Sequence, residues 1–148
     1  MTKELMKAGL QISIIYTDEH LIELRITASN GVFAGQVDVY ADSDALTELA
    51  EVLRDFPGSQ NDAREFEVGS FDSAYAGGGA GFRFYCLDSV GHAAAEVRLR
   101  SDPEAGGGVS DTVVLHVPVE AAAIDAFVVQ LAGIVEEVGQ TARLEAAA

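Results

Sequence analysis

The same order of elements, strands followed by a helix, occurs twice along this chain. Residues 22–41 predict two strands joined at Asn30-Gly31, and residues 82–100 predict two strands joined at Val90-Gly91, an offset of 60 between the first residues. An Asn-Gly pair favours positive φ at both positions and is therefore a strong hairpin signal. An amphipathic helix follows each pair, in the second case after one further strand. The layout predicts an α+β domain with an internal pseudo-repeat.

Alternation of apolar and polar residues marks the strands, because successive side chains of a strand point to opposite faces. Phe33 and Cys86 belong to the apolar, inward sets, whereas Arg98 and Arg100 alternate outward. The predicted strands cover residues 10–16, 22–28, 33–39, 65–68, 82–87, 93–100 and 112–117. The segment 70–81, rich in glycine, is interpreted as a flexible hairpin connection.

Two helices are predicted from apolar residues spaced three and four apart. The first follows Asp42-Ser43-Asp44, whose side chains are expected to cap its first turn, and ends at Pro57-Gly58. Pro118 is placed in the first turn of the second, where a missing N–H costs nothing. The apolar stripe of the second helix comprises Ile124, Phe127, Val128, Leu131, Val135 and Val138.

The element order βββαββββα predicts a mainly antiparallel sheet of about seven strands with both helices on one face. The other face is then open to water. Residues 1–148 are expected to form a single domain with an ordered core of about 9–140, and 141–148 are expected to be frayed or vector-derived. The open face is predicted to carry Glu23, Arg25, Gln36, Asp38, Tyr40, Arg83, Tyr85, Glu96, Arg98 and His116.

Net charge restricts the partners. The 148 residues include 24 acidic and nine basic ones, a formal charge of −15 that repels nucleic acid and anionic lipid and attracts basic proteins. Acidic outer faces are expected on both helices. No apolar run reaches the roughly 20 residues that a membrane span needs, so we expect a cytoplasmic protein. A single cysteine, Cys86, excludes an internal disulfide framework and a multi-cysteine zinc site.

No pattern of residues indicates catalysis. The glycines at 77–81 lack the spacing and the following helix of a phosphate site, and His20, His92 and His116 lack metal-site spacing. Asp88 and His92 flank one turn, where we expect a hydrogen bond that pins the hairpin. Cys86 is interpreted as a small core residue. We therefore predict no enzyme, no cofactor and no metal.

Partner-binding residues are predicted on two surfaces. Tyr and Arg are the residue types most often found at binding hot spots, and unpaired carboxylates attract basic partners. The candidates are Tyr40, Arg83, Tyr85, Arg98 and His116 on the open sheet face, and Asp44, Glu48, Glu51 and Asp55 on the first helix. A solvated surface with cross-strand charge pairs is the simpler alternative.

Several segments resemble one family of bacterial proteins. They are SDALTEL at 43–49, DFP at 55–57, FEV at 66–68, FRFYCLD at 82–88, GH at 91–92 and IDAF at 124–127. Together they are similar to the WapI-like immunity proteins and their uncharacterised relatives, over roughly residues 20–138. The resemblance implies a protein that binds and neutralises a cognate secreted toxin, and it implies no catalytic residues.

Three hypotheses follow for function. The first is a binding module that blocks a basic protein partner, as an immunity protein does. The second is a small-ligand or metal-binding domain that uses the loop 77–81 or His92 with Asp88. The third is a self-associating protein, in which the open sheet face pairs two copies into a homodimer.

Overall fold

The computed structural model describes residues 7–72, 77–104 and 107–148. These residues form eight strands and two helices. The strands are β1 (Gly9–Thr17), β2 (Ile22–Ser29), β3 (Ala34–Ala41), β4 (Ala63–Gly69), β5 (Gly79–Cys86), β6 (His92–Arg100), β7 (Thr112–Glu120) and β8 (Thr141–Glu145). The helices are α1 (Ala45–Leu53) and α2 (Ala121–Gly133). No helix within the described ranges is long and apolar enough to cross a membrane.

The strands form two antiparallel sheets, not the one sheet that was predicted. Sheet 1 has the order β3-β2-β1-β8 and sheet 2 has the order β4-β5-β6-β7. The α+β class, the antiparallel pairing and the order βββαββββα are confirmed, and β8 is an addition. Each copy of the repeated layout forms a sheet of its own. Alternation tells which face of a strand is buried but not which strands are neighbours, so one sheet and two sheets have the same sequence pattern.

β3 crosses one end of sheet 2 and joins the two sheets there. A Cβ added to Gly69 at the end of β4 lies 3.1 Å from the Val39 side chain, and one added to Gly35 lies 3.1 Å from the side chains of Leu99 and Val113. At Gly78 an added Cβ lies 2.9 Å from the Asp38 carbonyl oxygen. Glycine therefore permits the close approach of the sheets.

The glycine-rich segment is consequently not a simple flexible connection. Gly79 and Gly81 are buried within β5 and pair with β4 and β6. A side chain at Gly79 would place its Cβ 2.4 Å from the Ser70 carbonyl oxygen. Residues 73–76 of the predicted connection lie outside the described residues. The glycines that resembled a loop in sequence serve strand packing instead.

The core is one cluster of buried side chains to which both sheets and both helices contribute. Leu46, Leu49 and Leu53 bury one face of α1, and Ile124, Phe127 and Leu131 bury one face of α2. Phe56 lies beyond α1 and packs edge to face against Phe84 of β5, with the two ring centres 6.5 Å apart. Burial of these apolar faces, at roughly 25 cal/mol per Å², is what stabilises two helices this short. Phe33, predicted inward, is 64% exposed in the β2–β3 turn.

Both helices differ at their ends from the predictions. No side chain of the described residues caps the start of α1, where the Ala45 N–H instead donates to the Asp42 carbonyl at 3.0 Å. At its other end, Arg64 donates to the carbonyls of Val52 and Arg54. Pro118 lies in β7 and not in a helix. β7 is an edge strand, so a residue without an N–H is tolerated there because no hydrogen bond to a neighbouring strand is lost.

α2 is shorter and less acidic than predicted. The helix ends at Gly133, so the last two residues of the predicted stripe, Val135 and Val138, lie beyond it and are 54% and 63% exposed. Glu136 and Glu137 also follow the helix, and Asp125 is the one acidic residue within it. An acidic outer face is therefore found on α1 and not on α2.

The C-terminal residues contradict the prediction of a frayed end. β8 pairs with β1 from Gly9 opposite Glu145 to Ser13 opposite Thr141. Ala142 and Leu144 are fully buried in the core cluster. Residues 141–145 do alternate between polar and apolar side chains, but a segment this close to the end of the chain is ordered only where the fold holds it, here by pairing with β1 and by burial of Ala142 and Leu144.

Candidate partner-binding surfaces

The first candidate surface is acidic and surrounds α1. We define the acidic surface as Asp42, Asp44, Glu48, Glu51 and Asp55, all of which are exposed. Arg54 pairs with Glu51 at 2.8 Å. Among the described residues, no basic side chain lies within 4.0 Å of a carboxylate of the other four members. The folded chain therefore leaves these carboxylates available to a basic partner.

Mutual repulsion within the acidic surface shows in the titration of one member. The charge of the Asp44 carboxylate raises the pKa of Glu48, and partial desolvation, a side-chain hydrogen bond with Asp44 and the charge of Asp42 act in the same direction. By contrast, hydrogen bonding to Arg54 lowers the pKa of Glu51. A cation brought to Glu48 by a partner would relieve the repulsion, because opposite charges favour the ionised carboxylate.

Tyr40 belongs with the acidic surface and not with the other predicted sheet residues. It is 50% exposed near the end of β3, and with Asp42 and Glu48 it lines a cavity of about 360 Å³. Phe66 and Val68 of β4 line the same cavity. An aromatic ring beside carboxylates in a concave site suits a cationic side chain.

The four other partner-binding candidates of the predicted sheet face, Arg83, Tyr85, Arg98 and His116, lie on the outer face of sheet 2. In the paired rows, Arg83 stands between Glu65 and Glu96, and Glu96 stands opposite His116. The His116 Nε2 lies 3.1 Å from Glu96 Oε2. The Arg83 guanidinium lies 4.9 Å from the centre of the Tyr85 ring, and no carboxylate of the described residues is within 4.0 Å of it.

Arg98 is held by two neighbours that the sequence did not indicate. Its Nη2 donates to Glu67 Oε2 at 2.9 Å, and its guanidinium lies 4.4 Å from the centre of the Phe71 ring. Glu67 is on β4 and Arg98 is on β6, so the pair crosses β5 at Gly81. A Cβ at Gly81 would lie 3.2 Å from Arg98 Nη2, so glycine leaves room for the ion pair.

The predicted open face is thus divided between two sheets. Glu23, Arg25, Gln36, Asp38 and Tyr40 lie on sheet 1, and Arg83, Tyr85, Glu96, Arg98 and His116 lie on sheet 2. On sheet 1, Arg25 is joined to Asp38 by two hydrogen bonds of 2.9 and 3.1 Å. Most charges of both faces are therefore satisfied within the chain.

Arg100, predicted to face outward, is 4% exposed. Its Nε donates to the Ser70 carbonyl at 2.8 Å, its Nη2 to the Gly77 carbonyl at 3.0 Å, and its Nη1 to Ser110 Oγ at 3.3 Å. Arg100 alternates to the outer side of sheet 2, but its contacts with Ser70 after β4, Gly77 before β5 and Ser110 before β7 shield it from water. Its role is to hold these segments, so it is not available to a partner.

The expected hydrogen bond between Asp88 and His92 is present. Asp88 Oδ2 meets His92 Nδ1, and Asp88 Oδ1 accepts the N–H groups of Val90 and His92. Glu120 lies 3.8 Å from the imidazole Nε2. The bond to Asp88, its charge and that of Glu120 raise the pKa of His92.

The arrangement around Cys86 does not activate the thiol. Cys86 is half-buried against the core, and its Sγ contacts the Ser59 carbonyl at 3.6 Å. Burial, then the charges of Asp62 and Asp88, raise the pKa of the thiol, which disfavours the reactive thiolate. Within the described residues, no three His, Cys, Asp or Glu side chains are placed to hold a metal ion.

Sequence reasoning missed Glu67, Phe71 and the cover over Arg100. Alternation over residues 65–68 predicted a short strand, but nothing along the chain showed that β4 would lie two strands from Arg98. Comparison of the chain with protein-family models, with curated proteins and with solved structures gave no match. The resemblance to WapI-like immunity proteins therefore stays a prediction.

Proposed function

We propose that this chain is a cytoplasmic binding protein that neutralises a basic protein partner through the acidic surface, in the manner of an immunity protein. The observation that carries the proposal is the set of exposed carboxylates around α1, of which Asp42, Asp44, Glu48 and Asp55 have no basic side chain of the described residues within 4.0 Å. Long-range attraction from a chain of net charge −15 speeds the encounter with a basic partner. The cavity beside Tyr40 supplies an anchoring position within the same surface.

The outer faces of the two sheets are less suited to binding a partner than the acidic surface is. Arg25 with Asp38, Arg98 with Glu67 and His116 with Glu96 already form pairs within the chain. A partner that used these side chains would first have to displace an existing pair. The acidic surface requires no such exchange, apart from Arg54 at Glu51.

The test compares two variants that remove the same charge. Asp44→Asn, Glu48→Gln and Glu51→Gln alter the acidic surface, whereas Asp125→Asn, Glu136→Gln and Glu137→Gln alter exposed carboxylates in and after α2. Titration calorimetry against a basic protein that proves to be encoded by a neighbouring gene should show about tenfold weaker binding for the first set, or about 1.4 kcal/mol. The control set should bind nearly as the unmodified chain does.

Salt provides a second arm of the same test. Exposed charges are screened beyond about 10 Å at 0.1 M salt, so binding through the acidic surface should weaken steeply as salt rises. Equal loss of affinity in the two variants, or affinity that salt leaves unchanged, would contradict the proposal.

A further inference from the structure

The edges of the two sheets are protected unequally. On β8, the Gln130 side chain seals the edge: its Oε1 accepts the Arg143 N–H at 2.8 Å and its Nε2 donates to the Arg143 carbonyl at 3.0 Å. β3 crosses the end of sheet 2, and β4 carries the charged residues Arg64, Glu65 and Glu67. Bound side chains, covering segments and charges are the devices that keep edge strands from pairing with other chains.

β7 is the remaining edge, and the direction of its backbone groups follows from its partners. The Asp111 carbonyl accepts the Ser101 N–H, and the Ala121 N–H donates to the Gly91 carbonyl. The backbone N–H and C=O groups of the odd-numbered residues of β7 therefore point toward β6. The Pro118 carbonyl instead accepts the Ala147 N–H from the other side. Because the pairing with β6 runs without a bulge, the N–H and C=O groups of Thr112, Val114 and His116 point away from the sheet.

These outward groups lack the protection seen elsewhere. Within the described residues, no hydrogen bond reaches the backbone of Thr112, Val114 or His116. Val114 is 47% exposed, and Thr112 and His116 are exposed as well. The stretch from Thr112 to His116 contains no Lys, Arg, Asp or Glu. Pro118 and the contact with Ala147 close only the far end of the strand.

We propose that β7 is a self-association edge, on which a second copy of this chain adds its own β7 in the antiparallel direction. Val114 lies opposite Val114 of the second copy, and Thr112 lies opposite His116 on either side. Each of these three residue pairs exchanges two hydrogen bonds, as directly opposite residues of an antiparallel ladder do. The two copies of sheet 2 then form one continuous sheet.

The side chains favour this register. Val114 meets an identical apolar neighbour at the symmetry axis, and no like charges stand opposite each other. A register displaced by two residues toward Pro118 would set Pro118 opposite Thr112, where the missing N–H and the occupied carbonyl of Pro118 remove the bonds. An isologous contact of this kind closes at two copies and does not continue into a filament.

Charge distinguishes this association from binding at the acidic surface. Two copies of net charge −15 repel each other, and salt screens that repulsion. Association through β7 should therefore strengthen as salt rises, whereas binding of a basic partner weakens. The two proposals use different surfaces, and either can fail alone.

The experiment is sedimentation equilibrium of the unmodified chain from micromolar to millimolar concentration, at low and high salt. We expect the mass to rise toward that of two chains, more completely at high salt. Val114→Glu sets two carboxylates opposite each other at the axis and should remain a monomer. Within one chain the same carboxylate lies opposite Arg98, so folding is preserved. Val129→Glu, at a residue of α2 that is 72% exposed, is the matched control and should associate normally.

Amide hydrogen exchange locates the contact. Association should slow exchange at Thr112, Val114 and His116 and leave the sealed edge at Arg143 unchanged. Val114→Pro removes an outward N–H without removing a bond to β6, and it should abolish both the association and the protection. A chain that stays monomeric at every concentration and salt, or a Val114→Glu variant that associates as the unmodified chain does, would overturn the proposal.

Discussion

The two ends of β6 each carry a basic side chain that contacts neighbouring segments, but in different surroundings. At one end Arg100 is buried and holds Ser70, Gly77 and Ser110. At the other end His92 is exposed and holds Asp88 and Glu120. When a hydrogen bond of a buried group is removed, water cannot reach the group to replace the lost partner. When a hydrogen bond of an exposed group is removed, water takes the place of the partner. The same kind of contact therefore contributes very different amounts to stability.

The largest effect is expected at the buried end. Arg100→Met keeps much of the apolar stem but removes all three hydrogen bonds, which takes the guanidinium donor away from the buried Gly77 carbonyl and the part-buried Ser70 carbonyl. The free energy of unfolding should fall by about 2–4 kcal/mol, because a hydrogen bond to a charged group contributes roughly 1.5–3 kcal/mol. Urea unfolding, monitored by circular dichroism, measures this loss in the free energy of unfolding. A loss below about 1 kcal/mol would show that the cover over Arg100 does not depend on it.

In the middle of β6, the bridge from Arg98 to Glu67 should contribute less. A double-mutant cycle of Arg98→Ala and Glu67→Ala is expected to give a coupling free energy within about 1 kcal/mol, since both side chains are well exposed. The coupling should shrink as salt rises. A value as large as the loss at Arg100 would remove the distinction between buried and surface ties.

At the exposed end, the effect of His92 should depend on pH. Its raised pKa in the folded chain means that the protonated ring stabilises the fold; this contribution is complete below the ordinary value of about 6.5 and is lost as pH rises through the raised value. The difference in unfolding midpoint between the unmodified chain and His92→Gln should therefore shrink above that pH.

Nuclear magnetic resonance titration of the His92 ring checks the same point directly. Its pKa should lie above 6.5 and move back toward that value in Asp88→Asn. A His92 pKa at or below 6.5 in the unmodified chain would contradict the structure of the turn.

The smallest effect is expected at Arg83, on the neighbouring strand of the same face. Arg83→Met should change the free energy of unfolding by no more than about 0.5 kcal/mol, because the described residues give Arg83 a ring contact but no ion pair. It therefore serves as the control for Arg100→Met under identical urea titrations. A large loss at Arg83 would mean that position on the outer face, and not burial, sets the contribution of an arginine.

Particular residues show how far the sequence could be read. Asn30-Gly31 and Asp88 with His92 located their turns correctly, because turn chemistry is local, but positive φ was expected at both Asn30 and Gly31 and only Gly31 has it. The alternation around Arg83, Arg98 and Arg100 correctly placed all three on the outer side of sheet 2. It did not predict which of them would be covered, because the covering residues Ser70, Gly77 and Ser110 come from other parts of the chain.

For the candidate surfaces, too, the sequence predicted the residues but not their surroundings. The carboxylates around α1 were recognised from composition and helical spacing, but their lack of basic neighbours is a property of three-dimensional packing. Tyr40 was grouped with Arg83 because both alternate outward, and the division into two sheets separates them. β8 was not predicted, although Thr141–Glu145 alternates polar and apolar residues, because residues near the end of a chain are ordered only where the rest of the fold holds them.

The order of amino acids by itself determined the element types, the dry side of most strands, the hairpin turns and the negative charge, since each depends on neighbours a few residues apart. Only the tertiary structure decided that the strands divide into two sheets, that β3 crosses the end of sheet 2, and that Arg100 is buried while β7 is left open. These outcomes depend on contacts between residues distant in the chain, and such contacts leave no periodic trace in the sequence.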